Sequence, residues 1–222
     1  MNSIKLIIKK MLIGKRPIVI MLHSVDNPND NCTVSFENFV SFINRFEYEI
    51  KNGRMVLTFD DGFESVYTKC FKLLLEKKLP FVCFLVSDFI DKPNYLTKQQ
   101  VFEMLGTGLL TIGSHGKTHA ILNKLEIKEM ENEIAQSKKA LEMTFGKSIF
   151  LFAYSHGIFN KKCIRMVKKT GYHFAYSATS NISNYLFFDH YKIPRYDLRD
   201  LTVNNIEDEI GFLCKKVNLK SA

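Results

Sequence analysis

Short apolar runs rich in Val, Ile, Phe and Leu alternate along this chain with longer stretches of helical periodicity. The apolar runs span 17–22, 55–60, 81–86, 110–114, 149–154, 174–178 and 191–195. Helices are predicted over 36–51, 64–78, 98–105, 126–145 and 161–170. Because parallel strands need a crossover connection, this alternation predicts a parallel sheet with helices around it. The sheet is expected to be either open and doubly wound or closed as a barrel.

Local start signals support three of the helix predictions. Ser35 and Asn160 stand at the N-cap positions of two helices, and Thr97 with Gln100 matches a capping box. No shift in composition, low-complexity tract or internal repeat divides the chain. We therefore expect a single domain over residues 1–222.

Composition narrows the class of protein further. The chain has 222 residues, of which 46% are hydrophobic and 24% are charged. These values exclude a disordered chain, a collagen-like repeat and a small disulfide-stapled domain. The formal net charge is +8, but the lysines are spread along the predicted helices and no nucleic-acid-binding motif occurs. We therefore expect no nucleic-acid partner.

The N-terminal segment and the cysteines predict a cytoplasmic location. Basic residues interrupt every apolar run at the N-terminus before it reaches the length of a signal-peptide core or a membrane span. The five cysteines form no C-x-x-C pair, and an odd number favours free thiols in a reducing compartment. Residues 1–16 are expected either to contact an anionic membrane surface as a short basic helix or to pack on the domain.

Polar side chains follow five of the predicted strands at the point where each strand ends. These side chains are His23, Asp60 with Asp61, His115 with His119, His156 and Arg195. The carboxyl ends of parallel strands meet at one edge of the sheet, where α/β enzymes carry their sites. One polar residue at a strand end is usually a cap or a satisfied core group. Their coincidence at five strand ends indicates a functional site.

Two imidazoles and one carboxylate form a ligand set typical of catalytic zinc, because coordination positions stay open for water. His115 and His119, with one of the two adjacent aspartates, would supply this set. Asp60 and Asp61 would repel one another unless a cation held one of them, which would leave the other as a base. The alternative is that one aspartate only caps the following helix, with Gly62 making the turn.

The sequences TFDDG at 58–62 and HGKTH at 115–119 resemble the polysaccharide deacetylases of the NodB-homology type, carbohydrate esterase family 4. Three further segments are similar to the smaller bacterial members, namely VIMLHSV at 19–25, FAYSHG at 152–157 and YKIPRY at 191–196. The resemblance covers a core of about residues 17–200. It implies a distorted (β/α)7 barrel, which agrees with the seven predicted strands.

The resemblance also implies an activity. Family members remove N-acetyl groups from an amino sugar in a glycan or a glycan precursor, so the expected partner is an N-acetylated carbohydrate. They use one divalent metal ion, for which zinc is the first expectation and cobalt, nickel or manganese are alternatives. Carried over to this chain, the resemblance makes Asp61, His115 and His119 the metal ligands and Asp60 the catalytic base.

Three further residues take catalytic roles by the same resemblance. His23 matches the histidine that serves as general acid in members with an early histidine segment. His156 stands where the family usually has a tyrosine, in the loop whose backbone N–H stabilises the oxyanion. Arg195 is expected either to supply the cation beside the base or to pair with Asp197 or Asp200 on the surface.

The chain departs from the family pattern at Ser155 and His156, and Gly116 replaces the usual Ser or Thr. Two alternatives therefore stay open. The chain could be a catalytically silent carbohydrate-binding scaffold, or a metal-dependent amidase that acts on another C–N bond. Two aromatic-rich segments, 172–176 and 185–188, are candidate platforms for stacking a sugar ring, although core packing would explain most of their aromatic residues. Weaker candidates in predicted loops on the same side are Lys117, Asn94 and Tyr95.

Overall fold

The structure is a computed structural model that describes residues 17–178 and 189–199. Its strands are β1 (Ile18–Leu22), β2 (Met55–Phe59), β3 (Phe81–Leu85), β4 (Leu110–Ser114), β5 (Leu151–Ala153), β6 (Phe174–Tyr176) and β7 (Tyr196–Asp197). They form one sheet in the order β6-β5-β4-β3-β2-β1-β7, and every paired neighbour is parallel. The predicted parallel sheet is confirmed.

The segment that ends in β7 joins the two edges of this sheet. Ile193 forms a parallel bridge with Tyr176 in β6, while β7 pairs with Ile20 and Met21 of β1. One short segment therefore contacts both outer strands and curls the sheet into a distorted (β/α)7 barrel. Because segment 193–197 pairs with both β6 and β1, the sheet is closed and the open doubly wound alternative is excluded.

The last strand lies later in the chain than predicted. The sequence predicts a strand over 191–195, but the ladder forms at Tyr196–Asp197 and the earlier segment makes only the isolated bridge at Ile193. Pro194 has no backbone N–H to donate to a ladder, which explains why regular pairing begins only after it.

The helices match the sequence predictions closely. They are α1 (Phe36–Lys51), α2 (Lys72–Glu76), α3 (Lys98–Gly106), α4 (Ile127–Phe145) and α5 (Lys161–Lys169). The predicted caps are confirmed at Ser35, Asn160 and the Thr97–Gln100 capping box. The exception is the stretch predicted as one helix over 64–78, where a π-helical turn at Val66–Phe71 precedes α2.

The sheet is buried on both faces. A small apolar cluster fills the inside of the curl, formed by Val19, Val56, Val82, Phe84, Leu151, Ala153, Phe174, Tyr176 and Ile193. A larger cluster lies between the sheet and the helices and includes Phe39, Leu74 and Ile134. Burial on both faces explains why the strands are continuous apolar runs, and it holds their carboxyl ends rigidly in place.

Residues 1–16, 179–188 and 200–222 lie outside the described residues. The predictions for the N-terminal segment, for the aromatic residues at 185–188 and for Asp200 fall in those ranges. The four cysteines of the described ranges are free thiols, as predicted. In 17–178 and 189–199, no helix is both long enough and apolar enough to cross a bilayer.

Candidate functional site

The turn after β2 presents two adjacent carboxylates to different surroundings. Asp60 stays in the sheet, where its N–H donates to the Leu22 carbonyl at 2.8 Å and only 2% of the residue is exposed. Asp61 turns away with a φ of 66°, a conformation that short polar residues tolerate. Gly62 follows with a φ of 82°, and a Cβ there would lie 2.8 Å from the Leu85 side chain. The tight turn therefore requires this glycine.

Asp61 faces the two histidines that follow β4. Its Oδ1 lies 3.5 Å from Nε2 of His115 and 3.2 Å from Nε2 of His119. One candidate ligand atom from each residue falls within 4.8 Å of the other two. Oδ1 is buried and has no hydrogen-bond partner among the described residues. Because buried polar atoms are normally paired, this oxygen indicates a position for a cation.

The orientation of His115 suits a metal ligand. Its Nδ1 donates a hydrogen bond to the Ala153 carbonyl of β5 at 2.8 Å, which leaves Nε2 without a proton in the neutral ring. Burial lowers the pKa of His115 to about 4. Burial, with the neighbouring His115 and His156 rings, lowers the pKa of His119 to about 3. Both rings are therefore neutral near pH 7 and able to bind a metal.

Among the described residues, no Lys or Arg side chain forms an ion pair with the carboxylate of Asp61. Burial, the adjacent Asp60 and, more weakly, Asp30 raise the pKa of Asp61 to about 8. A cation bound between Asp61 and the two histidines would remove this penalty, because it would compensate the charge directly. The donor set of two nitrogens and one carboxylate oxygen thus fits a divalent metal ion.

Asp60 has the opposite environment because Arg195 binds it. The guanidinium donates from Nη1 to Oδ1 and from Nη2 to Oδ2, both at 2.6 Å. Burial alone would raise the pKa of Asp60, but the Arg195 charge and these two bonds hold that pKa well below its usual range. Asp60 is therefore ionised at every working pH. Its Oδ2 lies 3.7 Å from Nε2 of His115, so the ionised group borders the candidate metal position.

Arg195 is itself fixed inside the barrel, with no exposed surface. Its Nε donates to the Ser177 carbonyl at 2.9 Å, and its Nη1 also donates to Oγ1 of Thr58 at 3.2 Å. The guanidinium lies 5.3 Å from the centre of the Phe84 ring. Of the two expected environments for Arg195, the structure shows the one beside Asp60. Asp197 instead pairs with Arg199.

The loop after β5 brings His156 to the open side of the site. His156 has a φ of 58°, and its ring centre lies 4.4 Å from that of His119. The hydrogen bonds of this turn use the N–H groups of Gly157 and Ile158, and within residues 17–178 and 189–199 the His156 N–H donates no backbone bond. The loop therefore offers a backbone donor next to the candidate metal ligands, although its side chain differs from the family pattern.

His23 follows β1 at the same edge of the sheet. Its Nδ1 is buried and has no hydrogen-bond partner among the described residues. His23 directly follows Leu22, whose carbonyl accepts from the Asp60 N–H, and it acts electrostatically on Asp60, His115 and His119. The fold thus gathers all seven predicted site residues at one end of the barrel.

The aromatic residues near the site do not come from the predicted platform at 172–176, and Tyr95 alone among them is a candidate from the sequence. Tyr172, Phe174 and Tyr176 are 1–3% exposed and belong to the core, so the expected platform at 172–176 is wrong. A row of three half-buried rings lies elsewhere, and we call it the aromatic row: Phe63, Tyr95 and Phe89.

The aromatic row starts at the candidate metal ligands. The Phe89 ring centre lies 6.3 Å from that of His119 and 4.6 Å from that of Tyr95, and Tyr95 stacks on Phe63 at 5.1 Å. Bonds from Glu64 N–H to Asn94 O and from Leu96 N–H to Gly62 O fasten this loop to the turn after β2. The sequence signal for Phe63 is its place directly after the glycine of TFDDG.

Comparison with known proteins gives concordant results. The family model described as polysaccharide deacetylase matches residues 47–175. The poly-β-1,6-N-acetyl-D-glucosamine N-deacetylase of Staphylococcus aureus (strain N315) is 25% identical over an alignment of 178 positions that covers 71% of this chain and 60% of that protein. YxkH of Bacillus subtilis (strain 168), whose name assigns it provisionally to the polysaccharide deacetylases, is 30% identical over 118 residues. That match covers 53% of this chain and 42% of YxkH, so the chain spans about half the length of these curated relatives.

Two solved structures share the fold. A polysaccharide deacetylase from Bacillus cereus superposes with a TM-score of 0.74 at 23% identity, over 87% of this chain and 68% of that one. The Streptococcus pyogenes deacetylase PplD in complex with acetate superposes with a TM-score of 0.71 at 17% identity, over 81% of this chain and 91% of that one. These likenesses confirm the distorted barrel. The family model matches more than half of the residues of this chain. The chain therefore belongs to the polysaccharide deacetylase family.

Proposed function

We propose that this protein hydrolyses the N-acetyl group of an amino sugar in a glycan and that it requires a divalent metal ion. The proposal rests on one observation, the different environments of two adjacent carboxylates. Asp60 is ionised and held by Arg195, whereas Asp61 presents an unpartnered buried oxygen to two neutral histidines. A hydrolase needs both a base and a metal ligand at this position, and a silent scaffold needs neither.

Asp61, His115 and His119 would hold the metal ion. A bound divalent ion would act as a Lewis acid toward the acetyl carbonyl and would lower the pKa of water at the site. Zinc suits two imidazoles and one carboxylate, and cobalt, nickel and manganese are alternatives for the same donor set.

Asp60 would accept the proton from the attacking water. Each of its oxygens receives one bond from Arg195 and keeps a further lone pair, because an ionised carboxylate has about four acceptor positions. The bidentate contact fixes the plane of the carboxylate, so the remaining lone pairs keep a constant direction. Arg195 is therefore proposed as a residue that orients the base.

The departing amine needs a proton, and His23 is the proposed donor. His23 follows β1 and Asp60 follows the neighbouring β2, so one strand end supplies the group that removes a proton and the other supplies the group that donates one. The backbone N–H of His156 is the proposed donor to the oxyanion that forms when the carbonyl carbon is attacked. The role of the His156 backbone N–H needs no particular side chain at position 156.

The aromatic row supplies a surface for the sugar next to the reacting unit. Sugar rings present C–H edges that pack on aromatic faces, and the row begins 6.3 Å from the His119 ring. The S. aureus relative is named for action on poly-β-1,6-N-acetyl-D-glucosamine. We propose the same chemical class for this chain, a polymer or oligomer of N-acetylglucosamine.

The test is acetate release from a panel of substrates by the zinc-loaded protein. The panel contains N-acetylglucosamine oligomers of one to six units, a sugar nucleotide and small acetamides without a sugar. We expect release from the oligomers and a rate that increases with length. Turnover of the acetamides alone would support the amidase alternative, and binding of the oligomers without turnover would support the scaffold.

A further inference from the structure

The segment that joins the two histidines has an unusual backbone. Gly116 has a φ of 87°, and His119 has a φ of 67° although it carries a side chain. A bulky residue populates the left-handed region sparsely and stays there only when its surroundings hold it. Some other part of the molecule must therefore fix this segment.

Glu133, in the middle of α4, makes that contact. Its Oε1 accepts a hydrogen bond from the Thr118 N–H at 2.6 Å and a longer one from the Ala120 N–H at 3.5 Å. Its Oε2 accepts from the Thr118 hydroxyl at 3.0 Å. Thr118 precedes His119 and Ala120 follows it. One carboxylate thus holds the chain on both sides of the candidate ligand.

The burial of Glu133 is costly and calls for a reason. The residue is 5% exposed, and it forms no ion pair with any residue in the described ranges. Its neighbours on the buried face of α4 include Met130 and Ile134, so an apolar residue would satisfy packing alone. A buried carboxylate without a counter-ion is kept only where hydrogen bonds compensate it. The bonds that the structure describes for this carboxylate come from Thr118 and Ala120, on the two sides of His119.

Gly116 lies directly against the Glu133 carboxylate. A Cβ at Gly116 would lie 2.9 Å from Oε1 of Glu133 and 3.4 Å from Oγ of Ser155. A larger residue at 116 would push Glu133 away from the Thr118 N–H. The glycine at position 116, where the family usually has Ser or Thr, therefore leaves the space that Glu133 occupies.

We propose that Glu133 is a positioning residue of the metal centre, which fixes the backbone around His119 so that the imidazole faces Asp61 and His115. The inference rests on the proposed metal site and adds a residue to it. Partners that orient a metal ligand typically change metal affinity by 10- to 100-fold when they are removed.

The test compares the zinc affinity of three variants with that of the wild type, by competition with a chelator of known affinity. We expect Glu133→Ala to bind zinc 10- to 100-fold more weakly. Glu133→Gln keeps an oxygen for the Thr118 N–H and an amide that can donate to the hydroxyl, so it should stay within a few-fold of the wild type. Glu131→Ala is the matched control, because Glu131 lies on the same helix and pairs with Lys169. Its zinc affinity should not change.

The cobalt-substituted proteins give a second readout. The visible d–d absorption reports the coordination geometry, so Glu133→Ala should change the spectrum whereas Glu131→Ala should not. If Glu133→Ala does not fold, Thr118→Val replaces it, because that variant removes only the hydroxyl bond and should weaken zinc binding several-fold.

Wild-type zinc affinity and an unchanged cobalt spectrum in Glu133→Ala, or in Thr118→Val when it stands in, would overturn the inference while leaving the proposed function intact. A wild-type protein that binds neither zinc nor cobalt would instead contradict the proposed function and the inference with it.

Discussion

The buried side and the open side of the candidate site are built in different ways. On the buried side, Asp60 and Arg195 are enclosed by the barrel and bind each other directly. On the open side, His119 and His156 lie on loops with left-handed backbone conformations, and the Glu133 side chain of α4 supports the His119 loop. This comparison indicates that burial at a strand end holds a charged group in place. Groups that meet a metal and a substrate lie on loops, where they need separate support.

Removing a metal ligand on the open side should have the largest effect. Asp61→Ala deletes the unpartnered oxygen that faces both histidines, so we expect the zinc content to fall from about one ion per chain to nearly none. Elemental analysis of the purified variant measures this directly. Full zinc content in Asp61→Ala would show that the ligand assignment is wrong.

Asp60→Asn should distinguish the role of Asp60 from that of Asp61. The amide cannot accept the proton as a carboxylate does, so kcat should fall by about 10²–10⁴-fold. Zinc content should remain at the wild-type value, because Asp60 is not one of the proposed ligands. Loss of zinc together with turnover would mean that both aspartates bind the metal.

Arg195→Met tests whether burial secures the base. The variant leaves Asp60 as a buried carboxylate without its partner, which should reduce the free energy of unfolding by about 3–5 kcal/mol. Urea denaturation measures this loss. Lys169→Met is the control, because that lysine pairs with Glu131 at the surface and should change stability by less than about 1 kcal/mol. Equal effects of the two variants would contradict the special role of the buried pair.

Tyr95→Ala tests the aromatic row on the open side. Loss of one stacking contact, worth about 0.5–1.5 kcal/mol, should raise KM for long oligomers by roughly 2- to 13-fold and leave the monomer less affected. Tyr48→Ala is the control, because Tyr48 is 61% exposed and lies on α1. An equal increase in KM for the monomer and the hexamer would remove the aromatic row from the binding site.

His156→Ala should have the smallest effect, because only the backbone N–H of residue 156 has a proposed role. We expect kcat/KM to fall by less than about 3-fold. Gly157→Ala should be far more harmful, since its Cβ would lie 2.4 Å from that of Ala178 and would displace the loop. A large loss in His156→Ala would instead assign a role to the imidazole.

Local patterns explain which parts of the fold were predictable. Six strands and the helix caps depend on periodicity and on residues three or four positions apart, and both are visible in the sequence. The position of β7 depends on pairing with β1, a contact between distant parts of the chain. The π-helical turn before α2 carries no comparable sequence signal.

The candidate site was also predictable only in part. Polar residues at strand ends predicted which side chains meet, because parallel topology brings strand ends together. The contact between Arg195 and Asp60 joins residues 135 positions apart, so the sequence left two environments open for Arg195. Aromatic content could not distinguish the buried 172–176 segment from the aromatic row, since aromatic residues are common in both cores and binding surfaces. Glu133 does leave a signal, a carboxylate within the apolar stripe of a helix.

The most direct test of the proposed chemistry is a zinc titration of the chelator-treated protein, with acetate release from N-acetylglucosamine oligomers measured at each point. We predict no release without metal and a linear rise that ends at one zinc ion per chain. Release that survives chelation, or one tightly bound zinc ion without any release from the oligomers, would contradict a metal-dependent N-deacetylase.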